Sequence, residues 1–276
     1  MNIHVHGDHS AWHCGSRAVT DYIKTIIAED GHVLTSYQDA QCILINGEGS
    51  LHDNICEKIY YGMKAKKIGK EVHLINTVWQ NMNHPITQEI KLFDSVCVRE
   101  IVSYNHIKKL RSDAKVCVDL SYFYPVKLPT RTHTEKIYGG SFHQIRQMDK
   151  WGSIAPLSTL CGSIKKVDIK DFNSWQVYLN NLASCKVLYT GYHHAVIAAC
   201  KLRIPFIAYR GNTDKVLGII KMAGAHIPVA STPAEFVHNM ENPPPKSEYN
   251  KLFNFLEAQK PFTLEDIGIK HGSLHH

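Results

Sequence analysis

Residues 185–220, CKVLYTGYHHAVIAACKLRIPFIAYRGNTDKVLGII, decide the fold class. Val187, Leu188 and Tyr189 form a short apolar run that Thr190-Gly191 breaks. Ala195 to Leu202 then continue at helical period until Pro205 opens a second run, Phe206–Tyr209. A polar turn around Arg210, Asn212, Thr213 and Asp214 leads into another helical stretch from Lys215. Strand, turn, helix, strand, turn, helix is the order of a parallel α/β sheet. It places Tyr192, His193 and His194 where a strand ends and a helix begins. Ligands of such sheets bind at that edge, because helix N-terminal amides point there. An anionic substrate suits it.

An earlier stretch repeats the design. Gln41–Ile45 reads as a buried strand, and Asn46-Gly-Glu-Gly-Ser-Leu-His-Asp53 as a turn with positive φ at Gly47 and Gly49 and the carboxylate of Glu48 between them. Ile55 to Ile68 has helical spacing, and Val72–Ile75 is the next strand. The economical reading is α/β with two facing Rossmann-like lobes, residues 1–125 and 126–276, joined through 122–133, where FYPVKLPTRTH holds two prolines and no apolar period. Asn242-Pro-Pro-Pro-Lys246 is a second loop before a last helix over 247–259.

The 276 residues suffice for two such lobes. No run has the ~20 apolar residues of a membrane span, and the first residues lack a signal-peptide pattern, so a cytoplasmic protein is expected. The eight cysteines are scattered without a CxxC pair, which points to a reducing compartment and away from a zinc ribbon. A formal charge of +6 suits an anionic small-molecule substrate and is compatible with nucleic acid, although no dense Lys/Arg stripe accompanies it. Lys270 to His276 reads as a tag remnant.

Several constellations carry chemistry. His4, His6, Asp8 and His9 spell HxHxDH, a dizinc hydrolase pattern, but here without the sheet layer that should precede it. The alternative is a first strand Asn2–His6, with His4 and His6 on one face, followed by a substrate loop 7–15 and a helix from Ser16. Asp8, His9 and His13 are candidate general bases in that loop. Ser95 to Glu100 is a strand ending in Arg99, whose fork suits a carboxylate or phosphate, or else pairs with Glu100. Lys115 to Asp119 is a further strand, with Asp119 at the same edge or capping the next turn.

These motifs, in the order NGEGSLHD (46–53), VRE with Ser103, Asp119, and TGYHHAVIAACKLRIPFIAY followed by Asp214-Lys215, resemble the polysaccharide pyruvyltransferase family over roughly residues 1–225. The resemblance implies a B-type glycosyltransferase-like architecture and transfer of pyruvate from phosphoenolpyruvate to a sugar, giving a ketal. It carries the family's arginine onto Arg99 and its histidine onto His194. The family's usual Arg-Leu-His-Ala stands here as Tyr192-His193-His194-Ala195, so an arginine is replaced, and Lys215, Arg210 or His193 is expected to supply its charge.

The leading expectation is a metal-independent transferase without a resident cofactor, working in the cleft between the lobes. The donor docks on the second lobe and a saccharide acceptor on the first. His194, Arg99, Glu48 and Asp8 are the catalytic candidates. Asn46, Gly47, Gly49, Ser50, His13, Tyr192, His193, Arg210, Asn212, Thr213 and Lys215 are the binding candidates. One alternative keeps the fold and takes a nucleotide sugar as donor, with a saccharide or a hydroxylated DNA base as acceptor. The other is a non-catalytic saccharide-binding protein. The oligomeric state is not legible.

Overall fold

Why the apolar runs are continuous rather than alternating follows from the layers they enter. The structure, a computed structural model, describes residues 1–131, 138–141 and 164–272. It divides into two units. Unit 1 comprises Met1–His9, Val19–Tyr124 and the segment that begins at Lys260. Unit 2 comprises Ser10–Ala18 and Pro125–Gln259.

Unit 1 is built on six parallel strands in the order β2-β1-β3-β4-β5-β6. These are β1 Asn2–His6, β2 Val33–Leu34, β3 Cys42–Glu48, β4 Glu71–Thr77, β5 Ser95–Val98 and β6 Lys115–Val116. Its helices are α1 Cys14–Glu29, whose first five residues belong to unit 2, α2 Glu57–Lys67 and α3 Ile101–Ile107. Alternate residues of β3 serve opposite faces. Ile43 and Ile45 join Leu74, Val96 and Ile59 in one core, while Cys42 and Leu44 join Ile3, Ile23, Ile27 and Leu264 in the other. A sheet covered on both faces needs apolar side chains at both phases of the strand period.

Among the described residues, unit 2 carries five parallel strands in the order β11-β10-β9-β7-β8. They are β7 Tyr138–Ser141, β8 Ile164–Lys166, β9 Val187–Thr190, β10 Phe206–Tyr209 and β11 Val229–Ala230. Its described helices are α4 Trp175–Leu182, α5 His193–Lys201, α6 Lys215–Met222, α7 Pro233–Glu241 and α8 Lys246–Glu257. Helix α5 is buried from His193 through Cys200, as befits a helix apolar on all sides but its ends.

In each sheet the chain order reverses once, between β1 and β3 in unit 1 and between β7 and β9 in unit 2. The crevice beyond the carboxyl ends of the strands at such a reversal is where open α/β sheets bind ligands. The loop after β1 and the end of β3 flank the first crevice, and Gly191 to His194 follow β9 at the second. Among the described residues, no helix is long and apolar enough to cross a membrane. The seven described cysteines are all unbonded, and Cys161 lies outside the described residues.

Some boundaries differ from the sequence reading. Strand β3 runs through Asn46-Gly47 to Glu48, pairing Glu48 with Thr77, so the turn starts later than Asn46. Positive φ falls on Glu48 (42°), Asp53 and Asn54, not on Gly47 or Gly49. Gly47 is required instead by close approach, because a Cβ there would overlap the Thr77 side chain on β4. Strands β5 and β6 end at Val98 and Val116, leaving Arg99 and Asp119 beyond the ladder. Helix α1 starts at Cys14 and α5 at His193, each two residues ahead of its expected start. Of the expected link over 122–133, residues 132 and 133 lie outside the described residues.

Candidate functional site

In unit 1 the polar groups at the reversal form one hydrogen-bonded edge. Asn46 Nδ2 donates to the Gly7 carbonyl (3.1 Å) and to Glu48 Oε1 (3.2 Å), and Asn46 Oδ1 accepts from Asn76 Nδ2 (3.3 Å). Asn76 Oδ1 in turn accepts the Leu120 amide (3.3 Å). Asn46, Glu48 and Asn76 are buried. A single network thus ties the ends of β1, β3 and β4 to the chain beyond β6. Gly49 and Ser50 follow Glu48 at partial burial, and the Ser50 amide closes a turn onto the Gly47 carbonyl (3.1 Å).

Arg99 is 2% exposed, and its Nη1 donates to Asp119 Oδ2 at 2.8 Å, a pair that both strand ends bury. Asp119 also caps the turn Leu120–Tyr122 by accepting from the Ser121 amide (3.0 Å) and hydroxyl (2.6 Å). The partner suggested by sequence proximity, Glu100, is not the one used. Its carboxylate caps α3, accepting from the Val102 and Ser103 amides. Burial pushes the Glu100 carboxyl up against those same hydrogen bonds.

Asp8 is exposed and pairs with Lys24 at 3.3 Å. His6 stacks on Tyr61 with ring centroids 3.5 Å apart, and His4 lies between Tyr37 and Tyr61 with Nδ1 3.1 Å from the Thr35 carbonyl. Burial, with the Lys58 charge second, lowers His6 to about 4. Within the HxHxDH pattern, His4 and His6 share the Tyr61 ring, Asp8 pairs with Lys24 and His9 faces Lys58.

Sequence reading missed two members of this edge. Asn76 is marked only by being amide-bearing within the buried run HLIN, and Lys58 only by falling among otherwise buried positions of α2. The Lys58 ammonium is 7% exposed, lies 3.0 Å from His9 Nε2 and donates to the Asn46 carbonyl. Burial lowers it to about 8, against the raising effect of Glu48 and Glu57. His9 is lowered too, by burial first and Lys58 second.

In unit 2 the edge after β9 gathers His13, Tyr192, His193 and His194. The His13 ring lies 5.0 Å from that of His194 and 5.9 Å from that of Tyr192. His13 Nδ1 accepts the Ser16 amide (3.2 Å), which puts the proton of its neutral ring on Nε2. His194 is only 5% exposed. Gly15 lies against it so closely that a Cβ at residue 15 would sit 2.6 Å from His194 Cβ. Burial raises the Tyr192 hydroxyl, with the carboxylates of Asp168 and Asp171 adding to the shift.

Beyond β10, a cavity of about 160 Å³ is lined by Arg210, Gly211, Thr213, Asp214, Val216, Leu217, Val229 and Ser231. Thr213 is 3% exposed. Arg210 Nη2 pairs with Asp214 at 2.9 Å and Lys215 Nζ donates to Asn212 Oδ1 at 2.9 Å. Of the three groups expected to replace the missing arginine, Arg210 is thus largely neutralised by its own turn and His193 is buried at 3% exposure. Lys215 reaches the side-chain oxygen of Asn212 in the same turn.

Two parallel sheets, each with buried polar and imidazole groups at its strand-order reversal, define an α/β protein. The family described as Polysaccharide pyruvyl transferase matches residues 11–212, which run from the loop after β1 to the turn after β10, and the chain belongs to that family of transferases. No curated protein matches it. Among solved structures, a functionally uncharacterised protein from Klebsiella pneumoniae subsp. pneumoniae superposes with a TM-score of 0.59 at 14% identity, covering 80% of this chain and 87% of that one. That likeness extends to the fold. A UDP-N-acetylglucosamine 2-epimerase from Listeria monocytogenes, so described provisionally, gives 0.48 at 10% identity (87% and 72% covered). The wall teichoic acid polymerase TagF gives 0.46 at 10% identity (93% and 82% covered).

Proposed function

We propose that this protein transfers a pyruvyl group from phosphoenolpyruvate to saccharide hydroxyls. The observation that carries the reading is the family match over residues 11–212 together with His194 beside His13 at the unit 2 reversal. An imidazole at the head of a buried helix suits a group that protonates the enol carbon or steadies the leaving phosphate, because its proton is shielded from competing water. Tyr192 and His193 complete that edge. Lys215, with Asn212 and Thr213, supplies donors for the phosphate or carboxylate near the cavity beyond β10. Asn46, Gly47, Glu48, Gly49 and Ser50 line the acceptor edge, and Glu48 offers a carboxylate to a saccharide hydroxyl. Arg99 contributes through Asp119, holding the chain beyond β6 in the same network.

The experiment is release of inorganic phosphate from phosphoenolpyruvate in the presence of a panel of methyl hexopyranosides, run beside a thermal-shift comparison with UDP, GDP and CMP sugars. Ligand binding raises apparent stability by mass action. Stabilisation by a nucleotide sugar without phosphate release would replace this donor. One observation favours that second reading, a glycosyltransferase: Arg210, a candidate for the missing arginine's charge, is paired with Asp214. Saccharide and hydroxylated DNA base are then the acceptors to compare.

A further inference from the structure

We propose that Lys58, hydrogen-bonded to the Asn46 carbonyl and facing His9, is the base on unit 1 that takes the proton of the attacking acceptor hydroxyl. The inference rests on the pyruvyl-transfer reading above and deepens it. Its starting point is that nothing about the position suits an ordinary lysine. Lys58 is the second residue of α2, an eleven-residue helix, so its charge meets the positive end of the helix dipole. Its side chain runs back over the carboxyl ends of β1 and β3 instead of into solvent, ending 7% exposed. Gly7 is pressed against it: a Cβ at residue 7 would stand 2.5 Å from Lys58 Nζ. Helix end, burial and crowding all disfavour an ammonium.

The groups facing the amine are Glu48 from β3, Glu57 from its own helix, and His9 and His6 from β1 and the loop after it. Glu48 and Glu57 favour the ammonium, and burial outweighs them, leaving the amine at about 8. A neutral amine has two hydrogens and one lone pair. With one hydrogen on the Asn46 carbonyl and the other on His9 Nε2, 3.0 Å away in the tautomer protonated on Nδ1, the lone pair is left for a hydroxyl. A base works best when its basicity is close to the working pH. Asp8 is exposed and paired with Lys24, and Glu48 Oε1 already accepts from Asn46.

The step balances. The hydroxyl O–H bond breaks as its oxygen bonds to C2 of the enolpyruvyl group, and C3 gains one proton. A second hydroxyl adds to C2 as the C2–O bond to phosphate breaks. Two hydroxyl protons leave, matching the one taken up at C3 and the one carried away by inorganic phosphate. Lys58 holds the first hydroxyl's proton as an ammonium and returns it to water.

The test uses the full chain, phosphoenolpyruvate and the same methyl hexopyranosides. In the parent, kcat/KM should rise with pH up to a bend near 8, as the lowered value of the free enzyme's lysine requires. Lys58→Arg keeps a cation but no accessible lone pair, and should lose ~100-fold or more in kcat with KM little changed. Should that variant fold poorly, Lys58→Cys alkylated with bromoethylamine restores a less basic amine, and the bend should move to lower pH. Competitive acetylation with acetic anhydride, read peptide by peptide by mass spectrometry, follows the amine without turnover. Lys58→Arg within ~3-fold of the parent, an unmoved bend after aminoethylation, or acetylation showing an ordinary lysine near ~10.4 would each overturn the assignment. A parent that releases no phosphate sinks the pyruvyl reading instead, and the acetylation curve still decides whether Lys58 is a neutral amine.

Discussion

Replacing Asp119 by asparagine should cost unit 1 about 3–5 kcal/mol, because it strands the Arg99 guanidinium in a site that water does not reach. The pair is 2.8 Å apart with side-chain exposures of 2% and 0%, so neither partner can turn outward when the other is lost. Asparagine still caps the turn at Ser121, which keeps the hydrogen bonds of that cap, worth ~1 kcal/mol, out of the comparison. Arg99→Met should cost a similar amount for the converse reason, since it leaves the Asp119 carboxylate buried without its cation. The double variant should be less damaged than the sum of the two, with a coupling of about 3 kcal/mol, because removing both charges removes the uncompensated one. At ~2–4 °C per kcal/mol for a unit of this size, the single variants should melt ~10 °C below the parent. Hydrogen exchange of peptides covering β5 and the chain around Asp119 localises the loss. A single-variant cost under ~1 kcal/mol, or additive effects in the cycle, would mean that water reaches the pair and that the argument from burial is wrong.

Other outcomes follow from the same geometry. Lys58 is less basic folded than unfolded, so between about 8 and 10.5 the unfolded chain binds more protons and the parent gains stability as pH rises. Against Lys58→Met that gain should reach ~3 kcal/mol, and urea titrations at several pH values showing parallel curves for the two proteins would refute it. His194→Ala should reduce phosphate release by ~100-fold or more and also lower stability by ~1–3 kcal/mol, since the ring is buried against Gly15. Turnover at the parental level would remove His194 from the reaction. A strong chelator should leave activity unchanged, because His4 and His6 serve the Tyr37 and Tyr61 rings and Asp8 serves Lys24. Stoichiometric zinc, with activity lost on its removal, would reinstate the hydrolase pattern.

The sequence by itself determined the fold class and the places where strands hand over to helices. Periodicity is a local property: the stretches Asn2–His6 and Phe206–Tyr209 are the observed strands residue for residue, because the alternation or run of apolar residues that marks a strand lies along its own length. The same locality put His194 and Glu48 at strand ends. Partners are not local, and only the tertiary structure decided them. Arg99 is followed directly by Glu100 but pairs with Asp119, since α3 takes Glu100 for its own amides while the next strand end delivers Asp119. Gly47 reads as a turn glycine but lies within β3, where Thr77 on the neighbouring strand leaves no room for a Cβ. Lys58 looks in sequence like any lysine in the first turn of a helix. What makes its amine unusual, the Asn46 carbonyl, His9 and Gly7 closing around it, comes from residues 12 to 51 positions away that only the stacking of α2 over β1 and β3 brings together.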